Sequence, residues 1–268
     1  MTGQHKIFSR NILLIIGGIL VLASYLHFLK ITALGIWGAD TFTYWGRGYH
    51  WVQGEYELFG SYRPVVSLVY GLALNLFGIN DYSIKIFNAT FGTINILFAF
   101  LIAAMISRSG VVGIAVSIVY SFSPTLIYLN KNERVHTLSG LFVLASAFAF
   151  VLFYRFKERS DLRYVMAKYG FLIFSGFFLG VACHTHPEIT LVGPGFIAYM
   201  LLVAILHWKN IQTLVEWVKY SFIFTISFFI PVAIWLHFFQ FTEIYQALTQ
   251  VYGKEAGPRY QLGFFEYF

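Results

Sequence analysis

An all-α integral membrane protein of about seven transmembrane helices, with interfacial helices in its first outer loop, is the fold class this sequence predicts. Three observations carry that expectation. Hydrophobic residues make up 58% of the 268 positions and charged residues only 11%, less than half the roughly 25% charge of a soluble domain. Aromatic residues reach 20%, more apolar surface than one water-soluble core requires. The basic residues sit between long apolar runs, where membrane topology places them, and form no stripe suited to nucleic acid.

A helix needs about 20 apolar residues to cross the hydrocarbon core. Runs of that size occur at 11–29, 86–107, 109–130, 135–154, 169–187, 189–207 and 220–242. The first follows Lys6 and Arg10 and exceeds the 7–15 residues of a signal-peptide core, so it reads as an uncleaved helix. An eighth stretch, 64–80, is shorter and carries Gly71, Asn75 and Gly78. If it lies along the surface, the inner segments hold ten Lys/Arg against three acids, and the outer segments eight against nine. If it crosses, the basic segment 155–168 moves outside, against the positive-inside rule. Seven spans with a cytoplasmic N-terminus follow. The membrane module is expected over 1–242, with a first outer loop at about 30–84 and an outer-face tail at 243–268.

That first loop carries Trp37, Tyr44, Trp45, Tyr49, Trp51, Tyr56 and Tyr62, residues suited to the headgroup region. Its segments 40–53 and 64–80 read as interfacial helices. The single cysteine, Cys183, excludes an intrachain disulfide. No phosphate-cradling Gly-rich loop or cytoplasmic segment large enough for a nucleotide domain is present, so an enzyme of this kind takes an activated substrate from the membrane. Asn88-Ala89-Thr90 fits a glycosylation sequon but begins a predicted span.

The polar residues expected at the outer face are few. Asp40 opens the first loop and suits either a helix N-cap or a chemical role. Arg63, before Pro64, either snorkels to the headgroups or holds a lipid phosphate through its forked guanidinium. Glu133, between Lys131 and Arg134 in the turn 131–134, is either a solvated turn residue or a ligand-facing acid. His184 and His186 lie in a polar turn ending at Glu188. Their i, i+2 spacing points them apart on a helix and falls short of the three or four ligands of a zinc site. A histidine beside a phosphate fits the turn better.

The order of these features resembles the GT-C superfamily of polyprenyl-phosphate-sugar-dependent glycosyltransferases, within it the dolichyl-phosphate-mannose-protein mannosyltransferase-like group. The resemblance is carried by Asp40 after the first span, the aromatic stretch, Tyr62-Arg63-Pro64, Leu76-Phe77-Gly78 and Asn88 to Gly92. It continues through Ser123-Pro124 with Tyr128, Glu133, and Gly176 and Gly180 before the turn at His184. It covers about 35–200. Two departures stand out: Thr41 where many members have a second acid, and His184 and His186 where many have Lys. Members usually continue with further spans, whereas this sequence stops some thirty residues after the seventh; a truncated product, a minimal homologue and an inactive relative all fit.

The resemblance implies inverting sugar transfer from a polyprenyl-phosphate donor to a protein, lipid or glycan acceptor on the outer face. Asp40 would be the catalytic base, with Arg63, Glu133, His184 and His186 binding substrate. No cofactor is certain, and a divalent cation beside Asp40 and Glu133 is allowed. A cell membrane, or the endoplasmic reticulum in a eukaryote, would house it. A non-catalytic lipid-binding or assembly subunit is the alternative. A transporter ranks below both, because the spans lack mid-helix charges and repeated halves.

Overall fold

The computed structural model describes residues 7–31, 39–54, 64–80, 82–131, 135–157, 161–186, 189, 192–206 and 208–238. Among these residues the fold is entirely helical. The helices in order are α1 (Arg10–Phe28), α2 (Ala39–Val52), α3 (Pro64–Phe77), α4 (Ser83–Ser107), α5 (Gly110–Phe122), α6 (Pro124–Asn130), α7 (His136–Phe156), α8 (Leu162–Cys183), α9 (Val192–Leu206) and α10 (Ile211–Phe238).

Five helices, α1, α4, α7, α8 and α10, are long and apolar enough to cross a membrane. The expected span 109–130 is broken: α5 and α6 meet at 66° and make a sixth candidate only if the bent pair is one crossing. Its cause is local. Ser123 is extended and Pro124 takes the first helical position of α6, because a prolyl ring disfavours helix in the residue before it and supplies no N–H. The expected span 189–207 is α9, only 15 residues, about 22 Å at 1.5 Å per residue. The described helices therefore supply five or six strong candidates for the seven expected crossings. The tail 243–268 lies outside the described residues.

The two first-loop helices pack against each other at backbone distance. A Cβ on Gly48 would stand 2.9 Å from the Tyr70 carbonyl carbon, and one on Gly71 2.6 Å from the Trp51 ring. The Trp45 indole donates to the Asn80 carbonyl oxygen at 3.2 Å, tying α2 to the α3–α4 turn. That turn ends α3 with Gly78 at φ +89°, and the Asn80 side-chain oxygen then accepts from the amides of Tyr82 and Ser83 at 3.2 and 3.0 Å. A glycine in left-handed backbone followed by an Asx cap is the local chemistry that closes one helix and opens the next.

The largest apolar cluster joins α7, α8, α9 and α10 around Phe153, Leu172, Leu179, Met200 and Phe224. Gly176 and Gly180 let α8 approach the α10 backbone: added Cβ atoms would stand 2.6 Å from the Phe224 carbonyl oxygen and 2.2 Å from that of Phe228. Small residues one turn apart serve this close approach in membrane helices. Gly180→Val is expected to destabilise the bundle by roughly 1–3 kcal/mol, as overpacking against rigid backbone does. A drop in the melting temperature of the detergent-solubilised protein checks it, with Gly170→Val as control because nothing lies within 4 Å of a Cβ there.

Candidate active site

Polar side chains gather at the end of the bundle carrying the C-termini of α1, α6 and α8 and the N-termini of α4 and α7. His27, buried near the end of α1, has Nδ1 3.3 Å from Thr93 Oγ1 and Nε2 3.0 Å from the Asn130 amide nitrogen. The Asn130 oxygen accepts from Thr137 Oγ1 at 2.9 Å, and the Asn95 amide donates to the Thr137 carbonyl at 3.0 Å. One network thus joins α1, α4, α6 and α7. Gly92 makes room for it, since a Cβ there would meet the Asn130 amide at 2.3 Å. Lys131 Nζ adds a bond to the Leu29 carbonyl at 3.0 Å. Together these anchor both sides of the approach to the turn that carries Glu133.

Two other groups line the same end. Lys85, in the first turn of α4, is completely buried. Near it on the same helix, the Asn88 amide and the Tyr70 hydroxyl of α3 hydrogen-bond at 3.2–3.4 Å, both side chains buried. The second group surrounds the end of α8. Thr185 Oγ1 donates to Ser139 Oγ of α7 at 2.9 Å, and the His186 ring lies 5.0 Å from that of His136.

Of the residues expected to form the site, the described structure places two. His184 is the C-cap of α8, 8% exposed, and burial pushes its imidazole below the ordinary histidine range. It is therefore neutral at pH 7 and suited to hydrogen bonding, not to carrying charge. His186 is half-buried beside His136. Asp40 falls in the first turn of α2, but its side chain lies outside the described residues, as do Arg63 and Glu133. No group of three or more His, Cys, Asp or Glu able to hold a metal ion occurs among the described residues.

Lys85, His27 and Asn130 were not singled out in the sequence. A signal existed for Lys85: it is the only charge within 83–107, directly before an apolar run. A single lysine in an otherwise uncharged helix reads equally as a snorkelling end residue, and only burial separates the two.

The fold defines a multi-pass integral-membrane helical protein with buried polar side chains gathered at one end of the bundle. Residues 62–235 match the family model for dolichyl-phosphate-mannose-protein mannosyltransferase. The match covers well over half of the chain, which belongs to this family of GT-C-type membrane glycosyltransferases. It runs from the approach to α3 into the last turns of α10 and includes Arg63, Lys85, Glu133, His184 and His186; Asp40 lies before it. No curated protein and no solved structure matches the chain significantly.

Proposed function

We propose that the protein transfers a sugar, with inversion, from a polyprenyl-phosphate donor to an acceptor at the outer membrane face. Family membership over residues 62–235 carries this reading. The crossing count belongs to it: α9 and the bent α5–α6 pair complete seven spans, which put the N-terminus in the cytoplasm and the polar end outside. The alternation agrees with the basic residues at the opposite end, Arg108, Arg155, Lys157 and Arg163 among them.

In this mechanism Asp40 accepts the proton of an acceptor hydroxyl as that oxygen attacks the anomeric carbon. The sugar–phosphate bond breaks, and its electron pair leaves on the polyprenyl phosphate. Cations and N–H donors aimed at that phosphate stabilise the developing charge. Arg63 and Lys85 supply the positive charge. Lys85 is given this role for its complete burial at the start of α4, where an ammonium group is strongly favoured beside an anion. Glu133 orients the acceptor. His184 and His186 donate hydrogen bonds to the donor headgroup.

The decisive experiment is sugar transfer or release by the purified protein from a panel of polyprenyl-phosphate sugars. Turnover of one donor supports the reading. Binding of a donor without turnover, in protein that remains folded, defeats it in favour of a non-catalytic lipid-binding subunit.

Because His184 is held neutral, His184→Gln is expected to keep most activity, while His184→Lys loses it through an uncompensated buried charge. The same depressed pKa has a stability consequence with a definite sign. The unfolded chain takes up the imidazole proton near the ordinary value of 6.5, and the folded protein does so only at lower pH. The stabilisation from His184 is therefore fully present above 6.5 and is lost as pH falls toward the folded value. Melting temperatures measured from pH 8 to 5 should decline less in His184→Gln than in the wild type.

A further inference from the structure

At the end of the bundle opposite the candidate site, three lysines share one continuous aromatic wall. Tyr154, Trp217, Tyr220 and Tyr169 form it, with successive ring centroids 6.3, 5.8 and 6.1 Å apart. Lys157 Nζ stands 3.9 Å from the Tyr154 ring and 5.0 Å from the Trp217 ring. Lys168 Nζ is 5.3 Å from the Tyr169 ring and 5.6 Å from the Tyr220 ring, and Lys219 Nζ is 4.9 Å from the Tyr169 ring.

The hydrogen bonds of Lys168 go to neutral acceptors, the Tyr220 hydroxyl at 3.2 Å and the Lys157 carbonyl at 3.5 Å. It is only 8% exposed, yet among the described residues it, Lys157 and Lys219 form no ion pair. Asp161 and Glu216 are the described carboxylates of this end, and both are exposed. Among the described residues, three cations drawn together on ring faces therefore repel one another with no carboxylate ion-paired to them, the exposed Glu216 acting on Lys219 only from a distance. Cation–π contacts hold the side chains in place without neutralising them.

We propose that this wall is a binding site for the phosphate headgroup of an anionic membrane lipid, seated between the ends of α7, α8 and α10. Tyrosine and tryptophan rings favour the headgroup level of a bilayer, and basic pockets between transmembrane helices take anionic headgroups on the cytoplasmic side. A lipid phosphate brings the missing negative charge, and its acyl chains run along the apolar sides of the same helices, where Phe174 and Phe222 are exposed. The site is independent of sugar transfer.

The test uses the whole chain in lipid nanodiscs. Amine-reactive labelling of Lys157 and Lys219 is compared with that of exposed Lys209 in discs of phosphatidylcholine alone and in discs one-third phosphatidylglycerol. Protection of the first two relative to Lys209 by at least about tenfold, only in the anionic discs, is the expected result. Equal protection of all three would reduce the wall to diffuse surface attraction and overturn the proposal. So would equal protection in phosphatidylcholine discs by millimolar inorganic phosphate, which would make the occupant free phosphate. In parallel, the triple variant Lys157→Gln/Lys168→Gln/Lys219→Gln should lose retained phosphatidylglycerol in native mass spectrometry. Arg10→Gln/Arg108→Gln/Lys209→Gln, which removes equal charge from the same end but leaves the wall intact, should keep it. Equal loss in both variants again overturns the site. If the first triple variant does not fold, the wild-type labelling decides alone.

Discussion

Asp40→Asn is expected to lower sugar transfer by about 10²–10⁴-fold, the range spanned by a positioned general base, while donor binding remains. The substitution keeps the size of the side chain and removes its capacity to take a proton. Asp40 lies in the first turn of α2, and α2 is held firmly: Gly48 and Gly71 bring it to backbone distance of α3, and Trp45 ties it to the Asn80 carbonyl. A helix start so supported can hold a side chain in one place through a reaction. Measuring donor release and acceptor transfer separately gives the result its meaning. Loss of transfer with donor binding unchanged identifies the base. A fall in melting temperature in the same variant would instead mark Asp40 as a structural residue of the first turn of α2. Full activity would remove it from the mechanism and leave the family assignment standing.

Lys85→Gln is expected to cost about 10²-fold in turnover, comparable to removing one donor from a preorganised anion site. The effect should fall on kcat more than on donor KM, because charge on the leaving phosphate grows as the glycosidic bond breaks. Lys85→Arg should recover part of the rate, since the guanidinium keeps the charge but not the shape of the ammonium group. A purely structural ion pair would behave otherwise: the melting temperature would fall in Lys85→Gln, and kcat and KM per folded molecule would stay as in the wild type. Asn88 and Tyr70, bonded to each other beside Lys85, provide a neutral frame against which the charge is read.

Much of this architecture was legible before any coordinates. Apolar runs at 11–29, 86–107 and 135–154 became α1, α4 and α7, with ends shifted by only a few residues. The first-loop stretch 64–80 became a 14-residue helix, too short to cross unaided at about 1.5 Å per residue. Elsewhere hydropathy misplaced the ends. Helix α10 begins at Ile211 and α8 at Leu162, ahead of the expected 220 and 169, because polar first turns add no hydropathy yet continue the helix. Ser123-Pro124 stands in the sequence as a motif, but nothing in the sequence gives the 66° bend across it. A proline at a helix start fixes a boundary without fixing the angle across it. At the candidate site, the sequence singled out residues by type and position. Lys85 carries no motif, and one lysine ahead of an apolar run reads equally as a snorkelling helix end.

What the sequence determined by itself is the solvent and the class. Too little charge and too many long apolar runs leave lipid as the only medium, and the ordered motifs point to one family of membrane glycosyltransferases, as the match over 62–235 bears out. The tertiary structure decided which polar residues lose water and which meet. His27 and Asn130 are 103 positions apart in the chain, yet their side chains hydrogen-bond at 3.0 Å. His184 is neutral and Lys85 is buried because of the helices packed around them. Hydropathy is a property of a segment and can be summed along the chain; burial and charge pairing are properties of neighbours, which are settled only when the helices pack.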